Sequence, residues 1–455
     1  MAYYNRDNPL RLAVVGHTNT GKTSLLRTLL QDTAFGEVSS RPSTTREVVA
    51  AHLLVAGEPS VALYDTPGLE DGLSLFAVLN ELQDPKLRHD GPAQIQQFLL
   101  SDLAHSDFEQ EAKVLRQLLL SDAAIYLIDA RDPVLPKHQD ELDILRRCGK
   151  PILPVLNFTA SAEANSQAWM DALAKVNLHG WVEFDTVSIP EQGEVELFEH
   201  LSTLLPKARE LLRNLLTDRS QRAVHKEQAA KRIVAELLLD VTAYAVTVTD
   251  KSEHEKITQA MQKTVSAREQ ACLRDLLNVY SFTNDAVNLP EISVRAGQWQ
   301  TDLFSSETFK AFGVKAGKGV AAGGAAGASV DLLFGGMTLG AGTVMGAVAG
   351  GAWQTWQKYG RNLKHKVQGY YDVHVDEAVI RLLAARQQKL ILALNKRGHA
   401  AIEPLNILDS EQKFQDPVKF KQFFRLAREH PQWSSINKAT FVEGHERDEC
   451  VRLIL

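Results

Sequence analysis

The sequence predicts an α/β domain with a mainly parallel sheet over residues 1–205, followed by a mostly α-helical C-terminal region. Three observations predict it. Short apolar runs alternate with helical stretches as far as Leu204. The first of these runs ends in a glycine-rich loop that opens a helix. Beyond Leu204 the pattern changes to long, charge-rich segments with apolar residues three and four apart.

Leu10–Val15 is a short apolar run ending at Gly16 and reads as a buried strand, with Thr23–Leu30 following as a helix. Buried runs recur at Ser60–Tyr64, Ala123–Asp129, Pro151–Asn157 and Trp181–Ser188. Strands that alternate with helices imply a sheet covered on both faces. Between residues 69 and 121 there is more chain than one crossover needs, which predicts inserted helices. Lys207–Tyr244 and Glu253–Phe282 predict a helical stalk or hairpin within 206–312. Residues 313–356 are dominated by Gly and Ala, and 357–455 form a mixed, mainly helical region with one clear helix at Val375–Arg397.

At 455 residues the chain exceeds one ordinary domain, and 44% hydrophobic with 23% charged residues is enough to build cores. A net charge of −6 argues against nucleic acid as a partner, since a broad nucleic-acid surface reads basic. Cys148, Cys272 and Cys450 are far apart, fit no metal-ligand spacing and suit a reducing cytosol. No long apolar run precedes the first strand, so no secretory signal peptide is expected and the chain is placed in the cytoplasm.

Gly16-His17-Thr18-Asn19-Thr20-Gly21-Lys22-Thr23 matches G-x-x-x-x-G-K-[ST] between a strand and a helix. Glycines let the backbone wrap close to phosphates, and successive N–H groups form an anion nest at a positive helix N-terminus. The loop residues Gly16, Asn19, Thr20 and Gly21, together with Lys22, Thr23 and Ser24, are therefore the predicted phosphate set. Lys22 would reach the β- and γ-phosphates and Thr23 would ligate Mg²⁺. Arg41-Pro42-Ser43-Thr44-Thr45-Arg46 and Asp65-Thr66-Pro67-Gly68 follow. Asp65 ends a buried run, which places a second Mg²⁺ ligand, a carboxylate, at the same end of the sheet. Gly68 would offer an N–H to the γ-phosphate, and Thr44 or Thr45 would close over the metal.

As a set, G-x-x-N-x-G-K-T, P-x-T-T-R and D-T-P-G resemble the Era-like branch of the translation-factor-related GTPases, over roughly residues 10–205. The resemblance implies a P-loop NTPase G domain that binds GTP or GDP with Mg²⁺. It makes Thr45 the closing threonine and puts Asn19 where some members hold K⁺. The whole chain also resembles a bacterial family in which this domain precedes a C-terminal domain of unknown function. The shared runs there are G-H-T-N-T-G-K-T-S-L-L-R-T-L, R-P-S-T-T-R and L-Y-D-T-P-G-L-E-D.

Two departures stand out. Leu69 occupies the place of the water-orienting glutamine of Ras-like enzymes, so slow intrinsic turnover raised by K⁺ or by assembly is expected. His17 reads as a variable loop side chain rather than a base. Where N-K-x-D is expected, the chain has Asn157-Phe158-Thr159-Ala160. Phe158 can stack on the base, but Ala160 lacks the carboxylate that pairs with guanine, a loss of roughly 1.5–3 kcal/mol. Glu163 and Glu191 are open as replacements. Ser188 falls in the loop expected to meet the guanine oxygen.

In the Gly/Ala segment, glycines recur every fourth residue at Gly319, Gly323 and Gly327 and again at Gly342, Gly346 and Gly350. Lysines and arginines flank both ends, which predicts a helical hairpin turning near Asp331–Gly335, inserted in the membrane or lying against it with both ends in the cytoplasm; a tightly packed soluble helix pair or a mobile Gly-rich insert is the alternative. The sequence thus predicts a GTP-hydrolysing switch on the cytoplasmic face of the inner membrane. An unidentified protein partner and a nucleotide-dependent dimer are further expectations. A ribosome- or RNA-associated assembly GTPase and a membrane scaffold with little turnover are the competing readings.

Overall fold

The computed structural model describes residues 3–32, 35, 47–82, 87, 89–187, 192–248, 253–282, 288–289, 294–295, 298–312, 314, 371–396 and 420–455. It divides into one unit of Met1–His225 with Asn395–Leu405 and a second of Lys226–Leu394 with Asn406–Leu455.

The first unit runs β1 (Leu10–Val15), α1 (Lys22–Leu30), β2 (Val49–Val55), β3 (Glu58–Asp65), α2 (Gly72–Glu81), α3 (Gly91–Leu99) and α4 (Glu109–Leu120). It continues with β4 (Ala123–Asp129), α5 (Pro136–Arg147), β5 (Ile152–Asn157), α6 (Ser166–Lys175), β6 (Val182–Glu183) and α7 (Gly193–Leu204). The six strands form one sheet in the order β2-β3-β1-β4-β5-β6. All neighbours are parallel except β2, which runs antiparallel to β3.

Strand periodicity builds the two sides of this sheet. Leu12, Val14, Ile125, Leu127, Leu153 and Val155 enter the core shared with α1 and α7. Their alternates Ala13, Val15, Ala124, Tyr126, Ile128 and Leu156 enter the core shared with α2 through α6. Every residue of β4 and β5 is buried, as central parallel strands require. Parallel pairing also brings strand ends to one edge: Val14 lies beside Asp65, and Asp129 beside Asn157. That edge is where an open α/β sheet binds ligands.

The sheet is mainly parallel, as expected, with two differences from the sequence reading. The antiparallel edge strand β2 was not foreseen. It is joined to β3 by Ala56-Gly57, both at positive φ (50° and 85°), a tight hairpin turn without the usual Asn or Asp in its first position. The last strand, expected over Trp181–Ser188, is only two residues long.

The helix α8 (Arg209–Ala243) has residues 209–225 in the first unit and 226–243 in the second. The second unit adds β7 (Ala245–Val248), α9 (His254–Val279), three two-residue strands β8 (Asn288–Leu289), β9 (Val294–Arg295) and β10 (Gln298–Trp299), and α10 (Ser306–Ala311). It ends with β11 (Tyr371–His374), α11 (Glu377–Lys396), α12 (Phe420–Glu429) and α13 (His445–Arg452). β11 pairs antiparallel with β7, although 122 residues lie between Val248 and Tyr371 in the chain, an arrangement no local pattern signals. One apolar core unites α9, α11, α12 and the part of α8 from Lys226 on.

Two buried polar groups punctuate that core. Asp240 accepts hydrogen bonds from Arg268 Nε (2.8 Å), Ser435 N (2.9 Å) and Ser435 Oγ (2.6 Å), and Arg447 pairs with it at 3.4 Å. Arg386, fully buried, faces Glu269 at 3.1 Å and stacks its guanidinium 4.0 Å from the Trp299 ring centroid. The Gly/Ala segment 313–356, apart from Val314, lies outside the described residues. Among the described residues, no helix is long and apolar enough to cross a membrane.

Candidate nucleotide site

The loop between β1 and α1 needs its glycines. Gly16 and Gly21 have φ of 146° and 93°, where an L side chain is strained. A Cβ on Gly16 would collide with the Leu127 carbonyl, and one on Gly21 with the Asn157 amide and the Phe158 ring. Asn19 adopts a left-handed φ of 65°, which asparagine tolerates. The Thr20 hydroxyl donates to the His17 carbonyl at 3.0 Å and pins the loop from within.

Lys22 begins α1 and is buried, with Nζ donating to the carbonyls of Gly16 (3.2 Å) and His17 (2.7 Å). Burial pushes its ammonium down to about 8, against the opposing pull of Asp65 and Glu141. Thr23 follows on the same turn and donates its hydroxyl to Asp65 Oδ2 at 2.6 Å; Ser24 beside it is buried. Asp65 itself is 2% exposed, and its Oδ1 has no hydrogen-bond partner among the described residues. Burial accordingly raises the Asp65 pKa. An orphaned carboxylate oxygen beside a hydroxyl oxygen is a hard, all-oxygen donor pair, and it fits Mg²⁺.

Gly68 packs directly on the loop: a Cβ there would lie 2.5 Å from Thr18 Oγ1 and 2.8 Å from Thr18 Cα. The next residue, Leu69, donates its N–H to the Gly16 carbonyl at 3.3 Å and forms a parallel bridge with His17. Its side chain is fully buried in the core beneath α2 and α4. Position 69 is thus a packing position, which explains the apolar residue where a glutamine was sought. His17 is tied up as well. Its Nδ1 lies 2.7 Å from buried Glu141 and its Nε2 2.9 Å from Lys137 Nζ, while Tyr126 donates to the other oxygen of Glu141 at 3.0 Å.

Asn157 joins the phosphate loop to the base loop. Its amide donates to the Thr20 carbonyl (2.9 Å), and its oxygen accepts from Thr186 N and Phe158 N (both 2.9 Å). Phe158, at φ 58°, carries its ring beside Gly21 and receives the Arg131 guanidinium 3.9 Å from its centroid. Arg131 is held there by two bonds to Asp129, at 2.9 and 2.7 Å. Ala160 is exposed, and so is Glu163, one of the two acids considered as replacements. The acid that sequence reasoning missed is Asp185, 3% exposed, which accepts from Ala160 N (3.0 Å) and Val187 N (2.8 Å). Its only sequence signal is its place late in the run Trp181–Ser188 expected as the last strand. Thr45, Ser188 and Glu191 lie outside the described residues.

Residues 170–455, more than half of the chain, match the family described as Domain of unknown function (DUF3482). The chain belongs to this family. Residues 11–158 match the family described as 50S ribosome-binding GTPase, and this first domain is a P-loop GTPase domain, of the kind that hydrolyses GTP.

GTPase Der of Lawsonia intracellularis is 27% identical over 161 residues, which cover 34% of this chain and 30% of that protein. The tRNA modification GTPase MnmE of Rickettsia typhi is 43% identical over 63 residues, 14% of each chain. This chain spans less than a third of the length of these curated relatives. The crystal structure of an Aquifex aeolicus Era variant bound to GDP.AlF4- is 17% identical, with 59% of this chain and 88% of that chain covered at a TM-score of 0.30. A likeness that loose adds nothing to the fold described above.

Proposed function

We propose that the chain is a Mg²⁺-dependent GTP-binding and GTP-hydrolysing switch. The observation that carries the reading is the convergence of Lys22, Thr23 and the half-satisfied Asp65 at the ends of β1 and β3, beside a loop whose glycines leave room for phosphates. Thr23 and Asp65, with Thr45, would hold Mg²⁺, which supplies positive charge to the β- and γ-phosphate oxygens when bound. The protein's own part is positioning. Lys22 offers its ammonium to the β- and γ-phosphates, and loop N–H groups from Gly16 to Ser24 cradle them. Gly68 presents a backbone N–H at the γ-phosphate, where the charge changes on hydrolysis.

Base recognition in this reading rests on Asn157 and the Phe158 ring, against which Arg131 packs, with Ser188 as a further contact. Asn19 would admit K⁺ against the phosphates and raise turnover. A membrane contact through residues 313–356 places the switch at the cytoplasmic face of the inner membrane, with a protein partner and a nucleotide-dependent dimer as further parts of the proposal. The description 50S ribosome-binding GTPase favours a second reading, a ribosome-associated assembly GTPase.

Two experiments test the proposal. GTP titration in Mg²⁺ and in excess chelator should show tighter binding with the metal in wild type and no difference in Asp65→Ala. Equal binding in both media by the wild-type protein would remove the metal from the site. Fractionation of the full-length protein and of a version lacking 313–356 separates the two settings. Carbonate-resistant membrane retention of the full chain alone supports the membrane reading, and salt-sensitive co-sedimentation with ribosomal particles supports the other.

A further inference from the structure

The stretch between β3 and β4 holds a group with no role so far. Helix α4 carries Glu111, 4% exposed, whose Oε1 accepts hydrogen bonds from Glu70 N (3.2 Å) and Asp71 N (3.1 Å). These are the first and second residues after the Leu69 N–H that bonds to the phosphate loop, and they lead into α2, which Asp71 caps through Ser74 N at 3.0 Å. A buried carboxylate that accepts two consecutive N–H groups holds that backbone tightly, because releasing it strands both donors and the charge. Two residues further along the same helix, Lys113 pairs with Glu47 at 2.8 Å, on the segment that follows the Arg41–Arg46 loop. One helix thus holds the chain behind one of the two loops expected to respond to the γ-phosphate, and touches the chain behind the other through a surface ion pair.

We propose that Glu111 is a positioning residue for GTP hydrolysis: it fixes Gly68–Asp71 so that the Gly68 N–H is aimed at the γ-phosphate before nucleotide arrives. This rests on the reading of the site as a GTPase and deepens it. It also accounts for Leu69. A side chain buried in the core cannot order the attacking water, so the segment contributes its backbone, and backbone donors act only where they are held in place. Glu111 touches neither nucleotide nor metal in this scheme. It acts through the main chain of residues 70 and 71. The inserted helix, on this view, is part of the hydrolytic apparatus.

The test is single-turnover GTP hydrolysis at saturating nucleotide, with GTP and GDP affinities measured alongside, for wild type, Glu111→Ala, Glu111→Gln and Glu111→Asp. Glu111→Ala should lose roughly tenfold or more in the hydrolysis rate while both affinities stay within about threefold. Glu111→Gln should keep most of the rate, because its amide oxygen can accept the same two bonds. Glu111→Asp keeps the charge but withdraws it by one methylene, and should fall with the alanine variant; it carries the test if the alanine variant does not fold. Faster amide exchange at residues 70 and 71 should accompany each loss.

A Glu111→Ala or Glu111→Asp protein that hydrolyses GTP at the wild-type rate overturns the proposal. So does a Glu111→Gln protein as slow as the alanine variant, since charge and not backbone positioning would then matter. Failure of the underlying reading looks different: the wild-type protein itself would not hydrolyse GTP.

Discussion

Replacing Asn157 by alanine should cost the first unit roughly 3 kcal/mol of stability and weaken nucleotide binding without distinguishing GTP from GDP. Asn157 is fully buried and makes three hydrogen bonds, to Thr20 O, Thr186 N and Phe158 N. Each bond is worth about 1 kcal/mol net, so three of them come to roughly 3 kcal/mol. Thr186 is also fully buried, so its N–H cannot turn to water. A loss of that size lowers the melting temperature of a unit this large by on the order of 6–12 °C.

The same bonds hold the phosphate loop against the base loop, so a slackened site should bind GTP and GDP equally less well, by about tenfold, which is about 1.4 kcal/mol. The assay is thermal unfolding together with fluorescent GTP and GDP titrations. If the variant melts within a degree of wild type, the three bonds carry no structural weight and the reasoning is wrong. If GTP affinity falls while GDP affinity does not, Asn157 acts on the γ-phosphate end and not as a tie between loops.

The second unit offers two further predictions. Asp240→Ala removes the acceptor shared by Arg268, Ser435 and Arg447 and leaves the buried Arg447 without its counter-charge, so unfolding of that unit should become easier by about 3–5 kcal/mol in chemical denaturation; a midpoint unchanged from wild type would contradict it. Burial pushes the Glu269 carboxyl up to about 7 from 4.5, although Arg386 and Gln387 pull the other way. A pKa raised by folding means the native state holds the proton more tightly than the unfolded chain. The stabilisation is therefore complete below about 4.5 and fades as pH rises through about 7. Melting temperatures at pH 5 and pH 8 should show wild type losing ground against Glu269→Gln over that interval, whereas a constant gap would assign the slope to other groups.

Legibility in the sequence follows the distance over which the chain must act. The phosphate loop is a local device, and its eight residues spell out strand end, glycine turn and helix start, so Gly16, Gly21, Lys22 and Thr23 can be read directly. Asp65 is legible for the same reason, since it ends an apolar strand. Asp185 is not, because it meets the Ala160 backbone across 25 residues, a contact that no local pattern signals. Glu111 is equally hidden: a glutamate on an amphipathic helix looks solvated until the fold buries it on Glu70 and Asp71.

β2 escaped because Ala56 fills a turn position where Asn or Asp would have announced a hairpin. The core of the second unit escaped because β7 and β11 find each other across more than a hundred residues. Leu69 shows the opposite case. Its identity was plain in the sequence, but only the sheet shows that its side chain belongs to the core.

The central claim is that this site binds GTP and cleaves its γ-phosphate. Single-turnover phosphate release from GTP in Mg²⁺, for wild type and Lys22→Ala side by side, tests it most directly. The account predicts slow release by wild type that is stimulated when K⁺ replaces Na⁺, and no nucleotide binding or release by Lys22→Ala. Micromolar GTP affinity and undiminished release in the Lys22→Ala protein would contradict it, because the ammonium that begins α1 would then have no phosphate to hold.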